Sequence, residues 1–500
     1  MTTHKKALTI DTINPNVLKV HYAVRGEIPN KAAEFEQQLH EGKNLPFDSV
    51  VWTNIGNPQQ QPNLGQEPLT FWRQVSALTE YPALLDMPAE ARDAMFPADT
   101  QERARELLEA FGSVGAYTSS KGVPLVRRHV AEFLKERDGH DEDIHNIYLT
   151  AGASAGISLM FQVFFGSGDG VLIPIPQYPL YSATLSLLNV EPMKYSLRSD
   201  HCWDPSDTDV RRQIDLAVKH GIKPRAIVVI NPGNPTGSCM SKEQIYDVIK
   251  VAYEFDLAIF ADEVYQVNIY QKERPFASFR KVLLDLRHSS DPTERDMSEK
   301  VELASLHSTS KGVAGECGRR GGFFVLNNFD ADVEAQVNKM ASIGLCPPTQ
   351  GQIGVDLLVR PPKPGDPSYE LYAKQIHNIH ETLHQRSLLI AEKFNELEGV
   401  KADPAMGALY MFPRLHLPKA VADEAEKVGK KVDELYCMEL LKETGICVVP
   451  GSGFGYTPRV LDDGSSYSYF RTTLLAKATD KFVERYVRFH KSFMERYKNK

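Results

Sequence analysis

Ser305-Leu306-His307-Ser308-Thr309-Ser310-Lys311-Gly312, continued by Gly315-Glu316-Cys317-Gly318-Arg319-Arg320-Gly321-Gly322, is the stretch around which the 500-residue chain is organised. The apolar run Val301 to Leu306 predicts a buried strand, and it ends in hydroxyl residues, one lysine, glycines and two arginines. A lysine at the end of a buried strand can form an imine with an aldehyde, and hydroxyls with an arginine beside them can hold a phosphate dianion. An aldehyde and a phosphate are the two handles of pyridoxal 5'-phosphate (PLP). The plainer alternative is a strand end with a solvated lysine and a basic loop. The companions of the stretch decide between the two.

Working outward, similar apolar runs recur with helical patterns between them. Ile147 to Leu149 predicts a strand, and Ala151-Gly152-Ala153-Ser154-Ala155-Gly156 then turns into a helix ending near Phe165. Further strands are expected at Val171 to Ile175, Arg225 to Ile230, Leu257 to Ala261, Val301 to Leu306 and Gly322 to Leu326, with a helix from Lys242 to Glu254. Continuous apolar strands alternating with helices are the mark of a mainly parallel sheet covered on both faces, an α/β fold. Ligands of such sheets bind at the carboxyl ends of the strands. There the sequence places Ser154, Asn234, Asp262, Tyr265 and Ser308 to Lys311.

Each companion has a plain reading and a chemical one. Ala151 to Gly156 is a close-packed helix start or a cradle of backbone amides for a phosphate. Asp262, after an apolar strand, is a cap or a structural ion pair, or it is the partner of a protonated pyridine nitrogen. Asn234, in Asn231-Pro232-Gly233-Asn234-Pro235-Thr236-Gly237, is a turn residue or a donor to the ring's phenolic oxygen, as Tyr265 is. Tyr178 is a core tyrosine or a ring stacked on the pyridine. Arg471 is an exposed strand arginine or a bidentate carboxylate clamp. Aldehyde capture, phosphate capture, a pyridinium partner, ring-oxygen donors and a carboxylate clamp in one chain have no single plain explanation. The Gly451-Ser452-Gly453-Phe454-Gly455 loop precedes no good helix and is not a dinucleotide site.

Composition narrows the classes. Hydrophobic content of 42% and charged content of 24% are those of an ordinary globular protein. A net charge of −8 and a pI near 6.0 argue against nucleic acid and anionic membrane surfaces as partners. No apolar run is long enough to span a bilayer. Cys202, Cys239, Cys317, Cys346, Cys437 and Cys447 form no CxxC pair and read as free thiols, with no metal site; Cys317 reads as packing. The start of the chain carries neither a secretory signal nor a mitochondrial presequence pattern, so cytoplasm is the expected location, or the mitochondrion if a presequence precedes this chain.

The motifs AGAS, QYP, NPGNPTG, DEVY, HSTSK and FRTT, in this order, resemble the fold-type I PLP-dependent aminotransferases, and within them the alanine aminotransferase branch. Supporting stretches are Tyr22 to Gly26, Asn54 to Gln60, Ile173 to Tyr181, Gly315 to Gly318, Leu345 to Pro348 and Gly445 to Gly455, so the likeness runs from Tyr22 to the C-terminus. The resemblance implies that Lys311 is the Schiff-base lysine and acid/base, that Asp262 holds the pyridine nitrogen, and that Asn234 and Tyr265 contact the ring oxygen. It implies that Tyr178 stacks on the ring, and that Ala153, Ser154, Ser308 and Arg320 bind the phosphate, with Arg319 as the alternative arginine. Arg471, with the Gly56 backbone nearby, is expected to bind the substrate α-carboxylate. Tyr117 is expected to reach the phosphate of a neighbouring copy, which implies a homodimer. Val313 and Phe323 depart from the pattern without removing a group the chemistry needs.

The expected organisation is an arm (1–45), an N-terminal part of a smaller domain with its connector (46–99), a large PLP-binding domain (100–365) and a C-terminal small α/β domain (366–500). The charged segment Arg287 to Lys300 reads as a surface loop, and Asp423 to Lys442 as one charged helical stretch. The implied reaction takes L-alanine and 2-oxoglutarate to pyruvate and L-glutamate by a ping-pong course. A glutamate:glyoxylate aminotransferase, another PLP enzyme of the same fold and a catalytically idle PLP-binding protein are the alternatives. No residue for the second carboxylate of glutamate is legible.

Overall fold

The apolar runs become strands because both of their faces are covered. A computed structural model describes residues 6–20, 22, 26–59 and 66–498; of the stretches named above, Ala23, Val24, Arg25 and Gln60 lie outside the described residues. The chain first forms β1 (Val51–Trp52) and then the strands of a large sheet. These are β2 (Ile147–Thr150), β3 (Asp169–Ile175), β4 (Glu191–Arg198), β5 (Asp204–Pro205), β6 (Lys223–Ile230), β7 (Ala258–Asp262), β8 (Leu303–Ser308) and β9 (Gly322–Asn327). The eight strands lie in the order β2-β9-β8-β7-β6-β3-β4-β5. Pairings from β4 through β3, β6 and β7 to β8 are parallel, while β9 is antiparallel to both β8 and β2.

Alternate side chains divide between the faces, as strand geometry requires. Leu172, Ile227, Ile259 and Leu303 pack on one side, with the helices Asp207–Lys219 and Lys242–Glu254. Val171, Ile173, Val228 and Phe260 pack on the other, with Ile157, Met160 and Phe161 of the helix Ala153–Phe164. Between the adjacent strands β3 and β6 the chain order reverses direction along the sheet, and such a point opens a crevice at the carboxyl ends.

The rest of the chain builds a six-stranded sheet from β10 (Val400–Lys401), β11 (Tyr410–Met411), β12 (Arg414–Leu417), β14 (Val449–Pro450), β15 (Arg459–Val460) and β16 (Ser466–Thr473), with β13 (Ile446–Cys447) lying outside it. β16 is its centre, antiparallel to β11, β12, β14 and β15. Phe394 of the long helix Tyr369–Asn395 stacks on Tyr486 of the helix Thr479–Lys498 with ring centres 4.1 Å apart, and Phe470 of β16 joins them. β1 pairs in parallel with β13, so the N-terminal segment is fixed to this second body. The helix Thr70–Glu80 packs instead beside the large sheet, in the cluster that holds Leu149 and Phe323.

The structure corrects the reading of two segments. Arg287 to Lys300 is not a loop: after a short turn, a helix runs over Pro292–Lys300. Asp291 caps it by accepting from the Thr293 amide at 2.8 Å, Pro292 supplies the first helical residue, and Met297 and Ser298 are buried beneath the charges. Asp423 to Lys442 is two helices, Lys419–Lys427 and Val432–Thr444, because Gly429 at φ +66° ends the first. Between Ile175 and Arg225, where no element was expected, lie the helix Leu180–Leu188, β4, β5 and the helix Asp207–Lys219. All six cysteines are free.

Candidate active site

Four strand ends of the large sheet open on one cavity of about 430 Å³, within the range of small-molecule sites. Tyr178 follows β3, Asn234 the turn after β6, Asp262 closes β7, and Ser308 and Lys311 follow β8. Ala153 and Ser154 begin the helix after β2 and line the same cavity, as do Tyr265 and Arg320. Arg471 comes from β16, and Gly56 from the segment after β1. A wider, open hollow of about 670 Å³ lies alongside, lined by Arg73, Glu80, Glu316 and Arg319, and neither Lys311 nor Asp262 borders it.

Lys311 Nζ donates to the Gly56 carbonyl at 2.7 Å. Asp262 is 6% exposed, and burial raises its carboxyl above the usual carboxylate range. It accepts hydrogen bonds from Tyr181 Oη at 2.6 Å and from the Val264 amide at 3.4 Å. Burial and the neighbouring Asp262 in turn raise the Tyr181 phenol well above its ordinary value, so Tyr181 stays a donor. Arg471 is 1% exposed, and its guanidinium lies between the Tyr410 ring at 4.1 Å and the Phe454 ring at 4.7 Å. Its Nη1 donates to Asn234 Oδ1 at 2.8 Å and its Nη2 to the Asn54 carbonyl, while Nε is buried with no partner among the described residues. With its oxygen engaged by Arg471, Asn234 keeps its Nδ2 as a donor.

The two candidate phosphate arginines separate. Arg319 Nε pairs with Glu316 at 3.0 Å, and Glu316 also pairs with Arg73 at 3.0 Å. Arg320 borders the cavity, donating to the Ala151 carbonyl at 3.1 Å, the Cys317 carbonyl at 3.0 Å and Ser310 Oγ at 3.3 Å. Gly152, at φ +83°, admits it: a Cβ there would stand 2.6 Å from Arg320 Nη2. Ser308 Oγ donates to the Gly321 carbonyl at 3.0 Å and accepts from the Ser310 amide at 3.1 Å. Cys317 is half-buried and donates to the Ser310 carbonyl at 2.9 Å. Tyr117 stands apart from the cavity and is 80% exposed.

The residues fit PLP on three observations of this structure. A buried carboxylate has no ion-pair partner among the described residues, a lysine amine lies in the same cavity, and an arginine and a helix N-terminus flank a glycine whose missing Cβ leaves room.

Sequence reasoning missed Tyr181 and Tyr410. Tyr181 lies three residues after Tyr178, and only the helix Leu180–Leu188, which was not expected, turns it to Asp262. Tyr410 lies in a run that reads simply as a strand, and its Oη is 3.3 Å from Tyr265 Oη. Tyr22, quoted for the resemblance but given no role, has its hydroxyl 2.6 Å from that of Tyr178.

An open, mainly parallel sheet with helices on both faces, a second smaller sheet and a lysine-bearing crevice between them make this a fold-type I PLP-dependent transferase. The model of the family "Aminotransferase class I and II" matches residues 86–489, and the chain belongs to that family. It is similar to a protein of Dictyostelium discoideum named probable alanine aminotransferase, mitochondrial, with 46% identity over 99% of this chain and 91% of that protein. It is also similar to an Arabidopsis thaliana protein named glutamate–glyoxylate aminotransferase 1, with 43% identity over 99% and 98%. A solved structure of an alanine aminotransferase from Pyrococcus furiosus superposes with a TM-score of 0.69, covering 96% of this chain and 99% of that one at 22% identity, a likeness of fold. The chain is therefore an aminotransferase, and membership implies PLP as cofactor with an amino acid and a 2-oxo acid as substrates.

Proposed function

We propose that this chain transfers the amino group of L-alanine to 2-oxoglutarate, giving pyruvate and L-glutamate in two half-reactions at one PLP-binding site. The observation that carries the reading is the single crevice in which Lys311, Asp262, Asn234 and Arg471 converge, in a chain 46% identical to a protein named for alanine transamination. Bound there, PLP supplies an aldehyde for the substrate amine and a cationic ring that takes up the electron pair left when the Cα proton departs.

The chain's own residues do the rest. Lys311 Nζ would hold the aldehyde carbon at rest and, once released, would carry the proton from the substrate Cα to that carbon. Asp262, kept buried and oriented by Tyr181, holds the proton on the ring nitrogen. Asn234 Nδ2 and Tyr265 Oη donate to the ring oxygen, and Tyr178 stacks on the ring. Ala153, Ser154, Ser308 and Arg320 bind the phosphate. Arg471 binds the α-carboxylate beside the Gly56 backbone, and its fixed plane orients Cα toward the lysine. In this reading residues 100–365 form the cofactor-binding domain, residues 46–99 and 366–500 the smaller one with its connector, and 1–45 an arm. The chain acts as a homodimer, with Tyr117 reaching the neighbouring copy's phosphate. A mitochondrial place of action fits the name of the Dictyostelium relative.

The test is the absorbance of the PLP-loaded protein. L-alanine should remove its long-wavelength band and 2-oxoglutarate should restore it, while Lys311→Ala should abolish turnover. A band that ignores alanine but answers glutamate and glyoxylate supports the activity in the Arabidopsis relative's name instead. A band that ignores every amino acid refutes the enzymatic reading, as does full turnover by Lys311→Ala.

A further inference from the structure

We propose that Tyr410 Oη is a second donor for the substrate α-carboxylate held by Arg471, an inference that rests on the function proposed above. Tyr410 is 3% exposed and lies on β11 opposite Thr473 of β16, two residues beyond Arg471. Its ring forms one wall of the slot that holds the guanidinium, 4.1 Å from Arg471 Cζ. A phenylalanine would make that stack equally well, so the stack leaves the hydroxyl unexplained.

The hydroxyl is placed where a carboxylate would meet it. It borders the cavity beside Gly56, so closely that a Cβ on Gly56 would overlap it. Tyr265 Oη and Tyr410 Oη stand 3.3 Å apart, long for an O–H···O bond, so with the single Tyr265 proton given to the ring oxygen the Tyr410 proton is at most weakly held by Tyr265. No other acceptor for it stands within hydrogen-bond distance among the described residues. A buried phenol whose proton is so weakly engaged is costly unless a ligand takes it. Lys311 and Arg471, the cations that act on this hydroxyl, line the same cavity, so the acceptor they favour is an anion. The phosphate-binding groups, Ser154 and Arg320, belong to other elements of the crevice, at the helix after β2 and the loop before β9. That leaves the carboxylate.

Electrostatics strengthen the donor. Burial raises the phenol, but the positive charges of Lys311 and Arg471, together with the Tyr265 hydrogen bond, bring it below the ordinary tyrosine value. Tyr265 is raised well above that value, by burial first and by Tyr410 next. Of the two hydroxyls, Tyr410 is the more acidic and so the stronger donor to an anion.

The experiment titrates PLP-loaded wild type and Tyr410→Phe by absorbance with two amines. 2-Methylalanine carries an α-carboxylate but no Cα proton, so it reports binding rather than turnover. Isopropylamine has the same carbon skeleton without the carboxylate. Loss of a hydrogen bond to a charged group should weaken 2-methylalanine roughly tenfold or more in the variant and leave isopropylamine within about twofold. Unchanged 2-methylalanine binding overturns the proposal, as does an equal loss for both amines, which would mark a general disturbance of the site. A wild type whose spectrum answers neither amine overturns the reading of the site itself, and this inference with it. Because isopropylamine binding also reports a folded, loaded site, a misfolded variant is not mistaken for a selective loss.

Discussion

Gly56→Ala perturbs the crevice at its tightest point. The added Cβ would overlap Tyr410 Oη and stand 3.0 Å from Tyr410 Cζ and 3.3 Å from Cε1. Ordinary carbon contacts lie near 3.5–4.0 Å, so relief requires a retreat of roughly 1 Å by one partner. Neither partner is free to move. The Tyr410 ring is held 4.1 Å from the Arg471 guanidinium, and its hydroxyl stands 3.3 Å from that of Tyr265. Gly56 follows a segment tied to β13, where Thr53 donates its amide to the Cys447 carbonyl at 3.0 Å and its hydroxyl to the same carbonyl at 2.8 Å. Overpacking a filled site of this kind costs about 1–3 kcal/mol. Expressed in the transition state, that is about a 5- to 150-fold loss of kcat/KM, and a similar loss appears in unfolding free energy if the ground state bears the strain. The double variant Gly56→Ala/Tyr410→Phe removes the overlapping oxygen but keeps the 3.0 Å ring contact. It should therefore regain part of the stability lost by Gly56→Ala, with a coupling of about 1 kcal/mol between the two positions. Urea unfolding of the four proteins in the cycle measures this. A Gly56→Ala protein that matches wild type in stability and in kcat/KM refutes the reasoning, and so does strict additivity in the cycle.

Two further outcomes are expected. Arg320→Ala should weaken PLP binding about 10- to 150-fold, the worth of its charge-assisted contacts, while Arg319→Ala, whose charge answers Glu316, should leave the cofactor dissociation constant within about threefold. The reverse pattern in equilibrium dialysis would assign the phosphate to Arg319. Glu263 is buried behind Asp262, its Oε1 accepts from the Phe279 amide at 2.7 Å, and burial pushes its carboxyl from 4.5 up to about 7 despite Arg137 at 3.9 Å. A carboxyl raised in the folded state binds more protons folded than unfolded, so its contribution is complete below pH 4.5 and is lost as pH rises through about 7. The lost stability is about 3 kcal/mol. The unfolding free energy of Glu263→Gln relative to wild type should therefore rise between pH 5 and pH 8, and a flat difference would refute the assignment.

What was legible in the sequence follows from burial. β6, β7 and β8 are covered on both faces, so their sequences are unbroken apolar runs, and the polar residues that end them mark the crevice. β4 escaped notice for the opposite reason. Near the sheet edge it alternates buried Met193 and Tyr195 with exposed Lys194 and Ser196, and Pro192 in its second position disguises it further. The roles of Tyr181 and Tyr410 were illegible because each depends on a tertiary neighbour, Asp262 for the one and Arg471 with Gly56 for the other. The helix Pro292–Lys300 was hidden by its charges, although the Asp291-Pro292 start was there to be read.

The turn after β6 shows why a motif shared by a wide superfamily can still matter to one site. Asn231 to Gly237 carries Asn234, whose Oδ1 accepts from Arg471 at 2.8 Å and so joins the large sheet to the small one at the reacting centre. The same turn is also stitched to the segment that delivers Tyr410. The amides of Met406 and Gly407 both donate to the Gly237 carbonyl, at 3.0 and 2.9 Å, and Ala408 donates to the Asn268 carbonyl at 3.0 Å. Gly237 itself lies at φ +68°, where a Cβ would come 2.7 Å from the Tyr410 carbonyl, so only glycine permits the approach. Turn and strand are thus one joint. It fixes how far Arg471 on β16 stands from the lysine and carboxylate at the ends of β8 and β7. Geometry of this kind costs no reorganisation when substrate arrives. Loosening the joint should therefore harm substrate orientation before it harms cofactor binding, because the groups proposed for the phosphate, Ser154 and Arg320, are held by other elements.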